Sequence, residues 1–256
     1  MPNAAPTSAR VQAQASFEVR TLLSNGEQLL VSIILPLVAL VALVLLKPGA
    51  LSAGGLEAVT RGDAARLVVP GVFALAVVST AFTGQAIVLA YERRYGVLRL
   101  LGTTPLGRGG LLIAKGCGVV VVVAVQCAVL GVVGLALGWR PDLAGIPMAV
   151  LLILAGCAAF LALAALVGGV LRAEGVLALA NLAWVLFLGC GLLFPLAALP
   201  DAVARVLRFT PPAALGEGLR SALAGGEASA LLSVVVLVVW AAVIGVIASR
   251  VLRWSD

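Results

Sequence analysis

Six apolar runs follow one another along the chain, and none carries a charged residue near its middle. A membrane-spanning helix needs about 20 mostly apolar residues to cross about 30 Å of hydrocarbon. Each run meets this length, so the pattern predicts an all-α membrane protein with six transmembrane helices. The predicted spans are residues 28–46, 67–91, 116–138, 146–171, 175–196 and 229–249.

The composition agrees with a chain whose solvent is the bilayer. Hydrophobic residues make up 62% and charged residues 11% of the sequence, whereas soluble domains carry about 25% charged residues. A soluble protein of this composition would expose more apolar surface than water tolerates. The basic residues are fifteen arginines and two lysines, which is typical of a GC-rich bacterial genome. We therefore expect a multi-pass protein of the bacterial inner membrane.

The charges between the spans predict the orientation, because cytoplasmic loops are enriched in Lys and Arg. With both termini in the cytoplasm, ten of the 17 basic residues lie inside and seven outside. The expected organisation is one domain, 1–256, with an arm (1–27), six spans (28–249) and a cytoplasmic tail (250–256). The net charge of +6 favours membrane lipid or a cytoplasmic protein as partner. Nucleic acid is not expected, since no aromatic residues accompany the basic ones on a soluble face.

The N-terminal arm has an amphipathic pattern. Val11, Ala15, Val19, Leu22 and Leu23 recur at helical spacing, and most polar residues lie off that stripe: Gln12, Gln14, Glu18 and Arg20. This pattern predicts an elbow helix lying in the membrane interface before the first span. The alternative is a polar tail that merely begins as a helix.

The loop before the last span predicts two short amphipathic helices that enter the outer leaflet, which makes it a partly re-entrant outer loop. Thr210-Pro211 is typical of a helix start, with a capping threonine and proline in the first turn. The loop's spacing also predicts an apolar stripe and two helical ion pairs. The stripe is Leu215, Leu219 and Leu223, and the pairs are Asp201 with Arg205 and Glu217 with Arg220.

The segment 92–115, between the second and third spans, contains five of the 17 basic residues. Its apolar residues form one face, its arginines surround that face, Gly102 ends the helix and Thr103-Thr104-Pro105 begins the next. The pattern predicts a short amphipathic helix held crosswise under the membrane. Orientation signalling alone would need only scattered basic residues and explains neither Glu92 nor the apolar face. That face is Val97, Leu98, Leu100 and Leu101, and the arginines are Arg93, Arg94 and Arg99.

This segment, "ERRYGVLRLLGTTPLGRGGLLIAKG", resembles the E-R-x-x-G-x-x-x-x-L-x-x-T-P-x-x-R motif of bacterial ABC transporter permeases of the type-2 exporter class. The matching residues are Glu92, Arg93, Gly96, Leu101, Thr104, Pro105, Arg108 and Lys115. The loop before the last span is similar to that family's F-P-x-x-x-x-P segment and its following arginine. Phe194, Pro195, Pro200, Pro211 and Arg220 carry this second match.

The resemblance implies a permease subunit whose crosswise segment is a cytoplasmic coupling helix that docks on a separate ABC ATPase subunit. It also implies a dimer, most simply a homodimer of two permease copies. The sequence has no G-x-x-x-x-G-K-[ST] phosphate-binding loop, so we expect no enzyme activity and no cofactor on this chain, with ATP and Mg on the partner. The residues predicted to couple the ATPase are Glu92, Arg93, Arg94, Gly96, Leu98, Leu101, Thr104, Pro105 and Arg108.

Polar residues are few inside the spans. They either line a substrate path between two permease copies or hold helices together through hydrogen bonds. The candidates for the path are Ser79, Thr80, Thr83, Gln85 and Asn181, with Gln126 as a further polar residue in the third span. Histidine is absent, and the four cysteines lie within apolar runs without a C-x-x-C pair. We therefore expect the cysteines to be small buried residues, with no metal site and no disulfide.

The function predicted is therefore ATP-driven export of a substrate that the sequence does not identify: a drug, lipid, glycan or haem-related molecule. One alternative is a permease-like subunit that acts in cofactor or envelope biogenesis, or in signalling, without exporting a solute. Another is a membrane-embedded enzyme. The absence of histidine and of an intramembrane acid–base pair in the sequence argues against that alternative.

Overall fold

A computed structural model describes residues 6–24, 26–45, 61–103, 107–224 and 227–251. Throughout this part of the chain the regular secondary structure is helical. The helices are α1 (Thr7–Ser24), α2 (Gly26–Leu45), α3 (Arg61–Val77), α4 (Gln85–Arg94), α5 (Val97–Gly102), α6 (Gly107–Ala136), α7 (Ile146–Val170), α8 (Ala173–Phe187), α9 (Asp201–Leu207), α10 (Pro211–Leu223) and α11 (Glu227–Val251).

Five helical segments of the described residues are long and apolar enough to cross a membrane, which establishes an all-α membrane protein. They are Arg61–Arg94, Gly109–Ala136, Leu143–Val170, Ala173–Leu192 and Ser229–Val251. These correspond to the second to sixth predicted spans. The first predicted span, 28–46, falls on α2, of which Ser32–Leu45 is an apolar stretch too short by itself to count as a sixth span. The count of six spans therefore stays a prediction.

The second span is the centre of the fold. A π-helical segment, Val78–Gly84, joins α3 to α4 and makes one helix of Arg61–Arg94. This helix is the most buried of the five spans and packs against α2, α6, α7, α8 and α10. The ring of Phe82 in the π-helical segment lies 6.5 Å from that of Phe160 in α7 and 5.7 Å from that of Phe187 in α8. A displacement of this helix would therefore also displace most of the helices that pack against it.

Helix α1 packs along α6, with Leu22 against Gly118. A Cβ atom at Gly118 would lie only 2.9 Å from the Leu22 side chain. The absence of a side chain at this position lets the two helices approach closely. The predicted helix in the arm is thus present, and its position in the membrane interface stays a prediction.

The loop before the last span forms α9 and α10, and α10 begins at Pro211 as predicted. The three leucines of its predicted stripe, Leu215, Leu219 and Leu223, are all buried. The Thr210 hydroxyl does not cap the helix, because it donates to the Leu207 carbonyl oxygen 2.6 Å away.

The two predicted ion pairs of this loop have different outcomes. Arg220 pairs with Glu217 at 2.9 Å. The second pair is not formed as predicted, because the Arg205 guanidinium donates to the backbone carbonyl of Asp201. In a seven-residue helix at the surface, an i, i+4 ion pair adds little stability, so the two side chains can make other hydrogen bonds.

Candidate coupling site

A buried lysine holds the end of α4 against α1 and α6. Lys115 in α6 is 1% exposed, and its Nζ lies 2.7 Å from Glu92 Oε1 in α4 and 3.2 Å from Glu18 Oε1 in α1. Gln14 donates to Glu18 from the preceding turn at 3.1 Å. A buried charge is tolerated only when it is paired, so this lysine requires both neighbouring elements to stay in place.

The three charges are not balanced, since one lysine faces two carboxylates. The second oxygen of Glu92, Oε2, is buried and has no hydrogen-bond partner among the described residues. Loss of the lysine would leave two carboxylates facing each other in a poorly solvated site. Lys115 is therefore the residue on which this junction depends.

The next two residues of α4 connect it to α7 and α8. Arg93 is buried, and its Nη2 donates to the carbonyl oxygen of Leu171 at 2.5 Å. That carbonyl lies at the C-terminal end of α7, where the helix dipole favours a cation. Arg94 forms an ion pair with Glu174 at the start of α8. Glu92, Arg93 and Arg94 thus bind the end of α4 to α6, α7 and α8, and Lys115 extends this junction to α1.

The chain turns sharply at Gly96, which separates α4 from α5. Its φ of 76° lies in the left-handed region, and its N–H donates to the Arg93 carbonyl at 3.1 Å. Non-glycine residues are disfavoured here by about 1–2 kcal/mol. The glycine of the motif is explained by this turn, which directs α5 away from the axis of the second span.

Helix α5 has one face buried in the protein and one face exposed. Leu98 is fully buried in a cluster that includes residues of four other helices, and Leu101 packs partly against the same cluster. Arg99 and Leu100 of α5 are exposed, as is Tyr95 in the turn before this helix, and Leu100 reaches 69% exposure. The remaining members of the cluster are Leu89 in α4, Leu111 in α6, Ala165 in α7 and Ala248 in α11.

The structure thus divides the predicted coupling residues. The side chains of Glu92, Arg93 and Leu98 make contacts within the chain. Leu98 is buried and is therefore not part of the exposed face of α5. Thr104 and Pro105 lie outside the described residues, as does the side chain of Arg108. A role of these residues in coupling stays a prediction.

A family model described as ABC-2 family transporter protein matches residues 57–250, which is well over half of the chain. The chain belongs to the ABC-2 transporter family. It is therefore a membrane permease subunit of an ABC transporter, and this family implies an ABC ATPase as partner. A comparison with curated proteins finds no match.

Within the permease, three of the predicted polar residues of the spans hold helices together. The Ser79 hydroxyl accepts a hydrogen bond from Trp184 Nε1 of α8 at 2.8 Å. Thr80 donates to Gln126 Oε1 of α6 at 3.0 Å, and the Gln126 amide donates to the Ser32 carbonyl of α2 at 3.1 Å. The π-helical segment is thereby tied to α2, α6 and α8.

The remaining candidates for a substrate path have different surroundings. Thr83 Oγ1 and Gln85 Oε1 are buried and have no hydrogen-bond partner within the described ranges. Asn181 is exposed on α8, where its amide nitrogen donates to the Leu177 carbonyl of its own helix at 2.8 Å. Asn181 is thus the polar residue of the candidate set that a second permease copy could reach most easily. The path itself stays a prediction.

The second motif of the permease fixes the broken end of the fifth span. The π-helical segment Leu188–Leu192 ends this span, with Gly191 at a φ of 84°. Arg220 is buried and donates to the carbonyl oxygens of Gly191 and Leu192 at 3.0 and 2.7 Å. Burial lowers the pKa of the Arg220 guanidinium, while the charge and the hydrogen bond of Glu217 oppose this shift. The arginine thus satisfies carbonyls that the helix leaves unpaired.

Sequence reasoning missed Glu18 as a member of the coupling site. Its predicted place off the apolar stripe is wrong, since Glu18 follows Ala15 by three residues and precedes Leu22 by four, which puts it on the buried side of α1. A carboxylate on such a face requires a cation in the neighbouring element. Lys115 also lies on a buried face, since Leu111 and Val119, one turn to either side, are fully buried.

Proposed function

We propose that this permease belongs to an ATP-driven exporter of the bacterial inner membrane, works as a homodimer and has both termini in the cytoplasm. A separate ATPase would supply the energy, since the sequence has no phosphate-binding loop. Asn181 supports a second copy, because an exposed amide on an apolar transmembrane face gains a partner when another helix covers it. The substrate is a drug, lipid, glycan or similar molecule.

The exposed face of α5 is the observation that carries this proposal. Leu100 and Tyr95 are 69% and 73% exposed, and the exposed Arg99 lies beside them. Large apolar side chains with a neighbouring arginine are typical of protein interfaces. We propose that an ATPase subunit covers this face.

The buried face of α5 explains how a movement of the ATPase would reach the membrane. Leu98 belongs to a buried cluster with residues of α4, α6, α7 and α11, and Lys115 joins the end of α4 to α1. Closely packed contacts of this kind transmit displacement instead of absorbing it. A shift of α5 is therefore expected to move the central second span together with its neighbours.

Leu100→Asp tests the docking surface directly. The change places a charge in a closed interface, which costs at least a few kcal/mol if unpaired and corresponds to a loss of binding of more than about tenfold. Because Leu100 is exposed in the permease itself, its membrane abundance should stay normal. The measurement is the amount of ATPase that co-purifies with the permease.

Leu143→Asp is the matched control, because Leu143 is 73% exposed and lies in the turn before α7. In the proposed orientation this turn faces away from the cytoplasm. The control should retain full ATPase binding. Full binding by Leu100→Asp, at normal abundance, would remove the support for α5 as the docking element.

A further inference from the structure

A cavity of about 850 Å³ lies between α9, α10, α11 and the 3-10 turn Leu196–Ala198. This volume falls in the range of about 300–1,000 Å³ that is common for small-molecule sites. The cavity is separate from the coupling site, which lies at the other end of the second span. Its walls carry both charged and apolar side chains.

The charged wall has guanidinium groups available for an anion. Arg205 and Arg208 line the cavity from α9. Arg205 donates to a backbone carbonyl, and the Arg208 side chain forms no hydrogen bond or ion pair with any described residue. Arg220, in contrast, is occupied by Glu217 and two carbonyl groups. Glu217 is paired with Arg220, so Asp201 is the other acid of this wall. Two arginines, Arg205 and Arg208, face this one acid, and the wall therefore carries a net positive charge.

The apolar wall continues into the surface of a membrane span. Leu232 lines the cavity and is also 46% exposed on α11. Leu231 and Val235, next to it on the same helix, are exposed as well, and the segment Ser229–Val251 is long and apolar enough to cross a membrane. A ligand in the cavity would therefore have an apolar part lying along α11 and an anionic part near α9.

We propose that this cavity binds an anionic phospholipid, with its phosphate at Arg205 and Arg208 and an acyl chain along Leu232. Arginine suits a phosphate group because its planar guanidinium donates two parallel hydrogen bonds. Two arginines beside a membrane span can hold a phosphate head group through such hydrogen bonds. In the orientation predicted from the loop charges, the lipid comes from the outer leaflet. The inference does not depend on the ATPase.

The test is a titration of the purified full chain in a neutral detergent, with binding measured by native mass spectrometry. The probes are dioctanoyl phosphatidylglycerol, dioctanoyl phosphatidylcholine and glycerol 3-phosphate. Phosphatidylglycerol should bind tightest. Arg208→Gln should lower its affinity about tenfold, because one charge-assisted hydrogen bond contributes about that much to binding. Arg140→Gln, a change at an exposed arginine that does not line the cavity, should have no effect.

A second variant separates shape from charge. Leu232→Trp fills the apolar wall without changing a charge and should weaken phosphatidylglycerol while sparing glycerol 3-phosphate. Equal binding of both lipids together with an unaffected Arg208→Gln variant would overturn the proposal. Binding of glycerol 3-phosphate as tight as that of phosphatidylglycerol would also overturn it, because the site would then take a soluble anion.

Discussion

Lys115→Met should destabilise the permease strongly, because it removes the cation from a buried junction and keeps nearly the same side-chain volume. Glu18 and Glu92 would then face each other without a positive charge, and Glu92 Oε2 already has no partner among the described residues. Removing one partner of a buried ion pair costs about 3–5 kcal/mol. Since the Glu92 side chain keeps 20% of its surface exposed, we expect the lower end, about 3 kcal/mol.

The assay is thermal unfolding of the purified chain in detergent. A loss of about 3 kcal/mol corresponds to a fall of roughly 6–12 °C in the apparent Tm of a domain of this size. Arg94→Met is the contrast, because it breaks an ion pair whose side chains are 49% and 67% exposed. Such a surface pair contributes less than about 1 kcal/mol, so this variant should stay within about 4 °C of the parent.

Neutralising the carboxylates distinguishes charge from packing. Addition of Glu18→Gln and Glu92→Gln to Lys115→Met should restore most of the lost Tm, because no unpaired charge is then buried. Glu92→Gln alone should cost less than Lys115→Met, since Lys115 keeps Glu18 at 3.2 Å. Equal Tm values for Lys115→Met and Arg94→Met, or no recovery in the triple variant, would refute the role of charge at this junction.

Two further predictions concern the turn and the orientation. Gly96→Ala should lower stability by about 1–2 kcal/mol through backbone strain at positive φ, whereas Gly175→Ala, at a helical position with open space around it, should not; thermal unfolding in detergent compares them. Cysteine at Val203, exposed on α9, should react with an impermeant thiol reagent from outside the cell, and cysteine at Arg99, exposed on α5, should not. The reverse labelling pattern would overturn the orientation.

The positions of the second to sixth predicted spans could be predicted from the sequence because each of these spans is long and largely apolar. The start of α10 followed from Thr210-Pro211, where proline fits only the first turn of a helix. The pairing of Glu217 with Arg220 could also be predicted, since one helix contains both residues. These features depend on local sequence alone.

The arrangement of the coupling site could not be predicted in the same way. The prediction of a single apolar face on α5 is wrong, because Leu98 is fully buried whereas Val97 and Leu100 are exposed. Glu18 and Lys115 are separated by 97 residues, and their pairing depends on how α1 packs on α6. The burial of cysteines was similarly misjudged: Cys157 is buried, whereas Cys117 is exposed on α6. Membership in an apolar run does not define which side of a helix faces its neighbours.

Site-specific photo-crosslinking from α5 to the ATPase tests the central claim most directly. A photoreactive residue at position 100 should yield a crosslink to an ATPase subunit in intact membranes. The same residue at position 98, which is fully buried in the permease, should crosslink only within its own chain, and position 143 should give no ATPase crosslink. An ATPase crosslink from position 143, or its absence from position 100 in a complex that still hydrolyses ATP, would contradict docking through α5.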